Sequence, residues 1–373
     1  MIETRIVGGK KELKIFIALP ALLHKNHELW VPPLYSDEWK YFNPKQNPSH
    51  AYCETILAIC YKDGSPVGRI MGIINHRYNK LKGENNGRFS CFESINDDAV
   101  ANSLLTFAGT WASGKGMRKM IGPYGMNYMD PEGFIIEGSE FPPTISTNYN
   151  FEYYPELILK SGFENETDYV VYKIDLPNKI PESYYKIRQR VLKTGVFKVV
   201  EYANHRELRR NTRAILTLMN DCFLEIFGYS YLDAVEMDRI GKQYLSLLDP
   251  RFIKVIEYNS SLVAFIIAMP HISEGLRNSG GKLLPFGFLK IIAALKKSKQ
   301  LDLLMGGVKQ EFRKIGLDVI LAMSIIESAT AAGFTLLDSH HELASNYKVR
   351  AEMERIGGTV YKKYVVFQKS LDE

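Results

Sequence analysis

The chain has 373 residues, of which 46% are hydrophobic and 24% charged. That balance supports a buried core and excludes the disordered, collagen-like and low-complexity classes. Its length exceeds two domains of ~150 residues, so two globular units are expected. Lys and Arg number 47 against 42 Asp and Glu, and the net charge of +5 is scattered along the sequence. This argues against nucleic acid as a partner and leaves an anionic small molecule open.

In chain order, residues 1–14 carry Glu3, Arg5, Lys10 and Lys11 in place of an apolar core, so no signal peptide is expected. No stretch reaches ~18 uninterrupted apolar residues, and a cytoplasmic protein without a transmembrane segment is the expectation. Cys53, Cys60, Cys91 and Cys222 form no Cys-x-x-Cys pair, which points to buried free thiols and to neither a disulfide framework nor a structural metal.

After a helix over 10–23, apolar runs at 55–60 and 67–75 flank Asp63-Gly64, a hairpin signal. A strand at 88–93, a helix at 98–113, a strand at 117–121 and a short helix at 154–161 follow, ending at Gly162. The same succession returns later: a hairpin around Asn259, then strand 301–308, helix 317–332, strand 335–338 and helix 346–356 before Gly357. The offset from Asp63 to Asn259 nearly equals that from Gly162 to Gly357, as two copies of one α/β unit require. Strands at 169–175 and 361–368 are expected to close the two copies. The turn-rich link 176–181 sets domains of 1–177 and 178–373.

The segment from Val308 through Arg313, Lys314 and Gly316 to Leu317 leaves a strand and opens a helix. Such a loop presents unpaired N–H groups and the positive end of a helix dipole to an anion, which suits a diphosphate; an ordinary strand-to-helix turn is the alternative. Residues 122–150 hold Gly, Pro and aromatics with little periodicity. Long irregular segments often form binding loops, so Tyr124, Asn127, Tyr128 and Asp130 are candidates for lining a substrate pocket, or else for an ordered packing loop. Leu283–Leu295 is apolar and ends in Lys296-Lys297. Burial against the second sheet is the first expectation, with peripheral membrane contact through 283–297, or an acyl-chain channel, as alternatives.

The order of loop, helix, Ala332-Gly333-Phe334, Asn346 and the helix ending in Gly357-Gly358 resembles the Gcn5-related N-acetyltransferase superfamily. With Trp30-Val31-Pro32-Pro33-Leu34 and the 122–150 loop, it is similar to bacterial tandem acetyltransferase-like proteins. The resemblance implies an α/β fold of two tandem acyl-CoA N-acyltransferase-like units, each a mixed, mostly antiparallel sheet flanked by helices. It also implies acetyl-CoA or another acyl-CoA as cofactor, held by Val308, Arg313, Lys314, Gly316, Leu317 and Asn346, and a small-molecule amine entering between the copies. The end of strand 335–338 faces the thioester in that fold. Asp338, His340 and Glu342 are then candidates for taking the amine proton, a solvated loop being the alternative. His340 and His341 are adjacent, and in a strand would face opposite ways, so no metal is expected there.

This sequence departs from the superfamily pattern at two places in the second copy. Asp318 stands where the loop usually ends in a small residue, and Met353 where a Tyr commonly protonates the leaving thiolate. In the first copy the loop position reads Ser94 to Asp98, acidic and without glycine, which predicts a self-capped helix and no cofactor. Three functions are consistent with this pattern: an N-acyltransferase, of acetyl groups in the first place, on an unidentified amine; an N-acyl amino acid synthase-like enzyme with a long-chain donor; and a non-catalytic ligand-binding or sensing protein.

Overall fold

The computed structural model describes residues 1–176, 180–244 and 248–372. The expected boundary at 177/178 falls outside them. The first part of the chain forms β1 (Ile2–Ile6), α1 (Lys10–Leu23), α2 (Tyr35–Tyr41), β2 (Cys53–Lys62), β3 (Ser65–Asn75), α3 (His76–Lys82), β4 (Asn86–Ser94), α4 (Asp98–Ser113), β5 (Lys119–Gly122), β6 (Phe134–Glu137), α5 (Tyr154–Lys160) and β7 (Glu164–Asp175). The rest forms α6 (Glu182–Lys193), β8 (Phe197–Glu201), α7 (His205–Phe223), α8 (Ala234–Tyr244), β9 (Ile253–Tyr258), β10 (Ser261–Pro270), α9 (Ser273–Ser279), α10 (Gly287–Lys297), β11 (Gln300–Val308), α11 (Leu317–Ala331), β12 (Leu336–Asp338), β13 (Glu342–Leu343), α12 (Tyr347–Arg355) and β14 (Thr359–Ser370).

Two compact units result, and neither is continuous in sequence. The first takes Met1–Tyr169, Ile272–Ala294 and the residues from 362 on; the second takes Val170–His271 and Leu295–Tyr361. Within the first unit the strand order is β1-β2-β3-β4-β5-β14, and within the second it is β8-β9-β10-β11-β12-β7. Each has one parallel step, β4–β5 and β11–β12, among antiparallel pairs. The repeat inferred from the spacing of elements is thus present in the topology.

The closing strands correct the expectation that each finishes its own copy. Lys173–Asp175 of β7 pairs with β12 in the second unit, and Phe367–Ser370 of β14 pairs with β5 in the first. Strand partners are chosen by long-range fit, which local composition does not encode.

The hairpins follow from their turn residues. Asp63 and Gly64 have φ of 51° and 85°, and Asn259 and Ser260 have 48° and 64°, the left-handed pair that joins twisted strands in two residues. In the first unit α4 lies against β3, burying Val100, Leu104, Leu105 and Ala108 with Phe89 and Phe134. In the second unit α11 packs between α6 and β10, with Val319, Ile320, Leu321, Met323, Ile325 and Ile326 all buried. Each such side chain contributes about 1.5–3 kcal/mol, so α11 is held chiefly by burial.

Two further expectations change. The 122–150 segment is not wholly irregular, since β6 lies inside it and pairs with β14. The Asn150 side-chain amide bonds both the N–H and the C=O of Ile135, serving Ile135 as a strand neighbour would. Residues 283–292 are not buried against the second sheet. Only Gly287 and Ile291 are buried there, and the segment up to residue 294 belongs to the first unit.

Candidate functional site

In the second unit, β11 and β12 pair in parallel only over Gln300–Asp302 against Leu336–Asp338. Beyond that the β11 register slips between Met305 and Leu303 opposite Ile267 and Ala268, a bulge of the kind that re-aims a strand. Gly306 is exposed in an otherwise well-covered strand. A side chain at Gly307 would come within 2.8 Å of Cys222 Cβ on α7. The two glycines therefore keep one side of β11 bare and let α7 close on the other.

β11 leads into the loop foreseen as an anion site. Arg313 Nε donates to the Val308 carbonyl at 3.1 Å, which ties the loop back to the strand end. Lys314 and Gly316 both have positive φ, 67° and 102°, and Gly316 is the N-cap of α11. A Cβ at Gly316 would lie 2.4 Å from Ile187 Cγ2, so this position requires glycine on both backbone and steric grounds. Leu317 is buried, whereas Arg313, Lys314 and Asp318 are exposed, and Lys309 pairs with Asp221 at 3.1 Å. No side chain caps α11, so its first-turn N–H groups are open to an anion, and two exposed cations stand in the same loop. These residues fit the diphosphate of an acyl-CoA, with Asp318 as the opposing charge.

Asp338 is fully buried at the end of β12. Its Oδ1 accepts from His340 N at 2.6 Å, and its Oδ2 accepts from the Tyr361 hydroxyl. The chain leaves the strand here, with His340 at φ 58°. This corrects the premise that His340 and His341 face opposite ways, because their rings are 5.2 Å apart. Among the described residues no group of three His, Cys, Asp or Glu side chains is placed to hold a metal. Glu342 follows on β13, and burial of its carboxyl pushes it up to about 8. A carboxylate with that affinity for protons is suited to general-base work near neutrality.

Asn346 caps α12 by accepting from Val349 N at 3.5 Å and is exposed. Met353 packs with the core around Ile174 and Ile356, so this position of the helix serves packing. On the same helix Arg350 Nε donates to the Tyr172 hydroxyl at 3.0 Å, which donates in turn to Glu354 at 2.9 Å.

Sequence reasoning missed one arrangement altogether. His271, at the end of β10, places Nδ1 2.9 Å from Asp302 Oδ2, and Gln300 Nε2 donates to Asp302 Oδ1 at 2.8 Å. Asp302 lies directly across the parallel step from Asp338. No local motif joins His271 to Asp302; the only available signal was a lone Asp inside an apolar strand run.

The first unit treats its corresponding loop differently. Asp97 caps α4, accepting from Ala99 N and Val100 N at 2.9 and 3.2 Å, and pairs with Lys62. The foreseen self-capping is what the first turn shows. In the 122–150 segment, Tyr124 is fully buried with Arg88 over its ring. Asp130 Oδ2 accepts from the Tyr41 hydroxyl and from Met126 N, both at 2.8 Å, and from Asn127 N at 3.3 Å. Asn127 also donates to Ser49 Oγ at 3.2 Å. Asn127 and Asp130 are thus brought together in one ordered network; Tyr128 is half-buried beside it in sequence.

No protein-family model matches the chain. A bacterial ceramide synthase of Caulobacter vibrioides is 27% identical over 369 residues, covering 96% of this chain and 95% of the relative. Among solved structures, a tandem GNAT protein from the clavulanic acid biosynthesis pathway aligns over 100% of this chain and 99% of its own, with a TM-score of 0.56 and 11% identity. A GCN5-related N-acetyltransferase from Sphaerobacter thermophilus aligns over 100% and 96%, with a TM-score of 0.52 and 12% identity.

Proposed function

We propose that this chain, which has the fold of the tandem Gcn5-related N-acetyltransferases, is an acyl-CoA-dependent N-acyltransferase acting on a small-molecule amine. The observation that carries the reading is the parting of β11 from β12 after Asp302–Asp338, next to a glycine-turned, cation-bearing entry to α11. Val308, Arg313, Lys314, Gly316, Leu317 and Asn346 are the residues assigned to the donor. It supplies an acyl group activated as a thioester.

The chain's own part is positioning and proton transfer. Backbone N–H groups along Met305–Val308 would donate to a carbonyl oxygen as negative charge develops on it. Glu342, with Asp338 and His340 beside it in the chain, accepts the proton that the amine loses as the C–N bond forms and the C–S bond breaks. Met353, a thioether, would supply no proton to a departing thiol, so water would have to serve there.

A second reading, a long-chain acyl donor, is favoured by the ceramide synthase relative that matches almost end to end, since a ceramide is the fatty amide of an amino alcohol. Calorimetric titration with acetyl-CoA and with palmitoyl-CoA, followed by thiol release in the presence of amines of increasing chain length, tests both. One equivalent bound per chain and amine-dependent thiol release are expected, with Arg313→Ala weakening donor binding about tenfold, the loss of one charge-assisted contact. Donor binding with no thiol release from any amine would make the protein a ligand sensor.

A further inference from the structure

Outside the candidate site, the turn before α10 and α10 itself form an exposed apolar surface. The inner side of this helix is fixed. Gly287 and Ile291 are buried, and α9 approaches so closely that a Cβ on Gly275 would meet Ile291 Cα at 2.8 Å and Ala294 Cβ at 2.9 Å. The outer side is largely apolar, with Lys296 towards its end. Leu284 is 77% exposed and Phe286 67% exposed, and Leu283, Phe288, Leu289 and Ile292 are exposed beside them.

An amphipathic helix of a globular protein turns polar residues outward. Here the positions opposite the buried ones, Phe288, Leu289 and Ile292, are apolar as well. Large apolar side chains gathered in one exposed patch mark an interaction surface. The charge around it selects the partner: from Gly275 to Leu301 the sequence has no Asp or Glu, but it has Arg277, Lys282, Lys290, Lys296, Lys297 and Lys299. Lys282 precedes the apolar turn and Lys296 and Lys297 end the helix, all exposed; Lys290, also exposed, donates to the Asn278 carbonyl at 2.7 Å.

We propose that residues 282–297 dock this chain on the surface of an anionic lipid bilayer, with Leu284, Phe286 and Phe288 entering the acyl boundary and the lysines meeting the headgroups. A second copy of the chain is a poorer occupant, because a self-complementary contact would bring lysine edges together. The inference stands apart from the transfer reaction, since vesicle binding is read without turnover.

Flotation of the full chain with vesicles of phosphatidylglycerol and phosphatidylethanolamine, against vesicles of phosphatidylcholine, is the test. Several-fold greater recovery with the anionic vesicles is expected, falling as salt rises from about 0.1 to 0.5 M. Leu284→Glu with Phe286→Glu should reduce that recovery at least tenfold while circular dichroism and melting temperature stay unchanged. Should that variant not fold, Phe286→Trp replaces it as a probe, and its emission should shift to the blue on adding anionic vesicles only. The proposal falls if the unaltered chain stays at the bottom of the gradient, or if the folded glutamate variant floats as well as the parent. It falls equally if the Phe286→Trp emission does not move, or if the patch instead holds a dimer that the glutamates dissociate without changing flotation.

Discussion

Asp302 and Asp338 stand directly opposite each other in the parallel step between β11 and β12, both inaccessible to solvent. Partners in a sheet project from the same face, so two carboxyl groups lie side by side where the strands part. Each has its own donors, His271 and Gln300 for Asp302, Tyr361 and the His340 amide for Asp338. A buried polar group is tolerated when its bonds are made, and these donors are what permits an acidic pair inside an apolar sheet.

Removing one acid exposes that dependence. Asp302→Ala takes the acceptor away from Gln300 Nε2 and from His271 Nδ1, and should destabilise the protein by about 1–3 kcal/mol. Asp302→Asn, which keeps an acceptor oxygen, should lose less. Urea denaturation checks both, with a lowered midpoint and an unchanged slope for the alanine variant; equal midpoints for parent and alanine variant would contradict the reading.

Gly316 carries two separable constraints, its φ of 102° and the Ile187 methyl 2.4 Å from where a Cβ would stand. Gly316→Ala should cost about 1–3 kcal/mol. Ile187→Ala removes the collision but leaves the backbone strain. The double variant should therefore be more stable than the sum of the single losses by about 1 kcal/mol or more. Strict additivity in thermal denaturation would show that the two residues do not meet.

For Glu342 the sign of the pH dependence follows from burial, which raises its carboxyl from the ordinary 4.5 to about 8. Between those values the folded chain keeps a proton that the unfolded chain has released, so this group's contribution to stability is full below 4.5 and declines as pH rises towards 8. Glu342→Gln should flatten that decline in melting temperature. As the proposed base it must be deprotonated to act, so kcat/KM should rise with pH through about 8 and lose this limb in the glutamine variant. A profile that is identical in parent and variant would remove Glu342 from the chemistry.

Apart from the two-copy repeat, what the sequence made legible was local. The Asp63-Gly64 turn, the Asp97 cap and the Gly316 helix entry are each specified by the backbone needs of one or two residues, and all were readable without tertiary information. The exchange of the closing strands was not, because β-branched residues at 170–175 or 362–368 pair equally well by composition with either sheet. Nor was the His271–Asp302 pair, whose members meet only through the β10–β11 register and its bulge. Residues 283–292 misled for a third reason: an apolar run reports that something covers it, and burial within the chain is only one way of being covered.

Glu93 in the first unit provides the opposite titration to Glu342. Burial alone would raise its carboxyl, but His24 Nε2 at 3.0 Å by hydrogen bond and charge, Arg69 at 3.9 Å and the Tyr154 hydroxyl at 2.7 Å outweigh it and hold the group below 4.5. His24 is itself buried, stacked on Trp30 and Phe151 and 2.9 Å from His27 Nδ1, so it cannot turn away to water when Glu93 changes. A depressed carboxyl contributes stability that is present above its unfolded value of 4.5 and lost as pH falls through the folded one. Glu93→Gln should therefore lower the melting temperature at pH 7, where the carboxylate is fully engaged, and the gap to the parent should close as the pH falls below 4.5. Tyr154→Phe removes one donor and leaves His24 in place, so it should reproduce part of the loss with the same pH trend. A gap that stays constant across that range would mean that Glu93 does not titrate there and that its effect is one of packing.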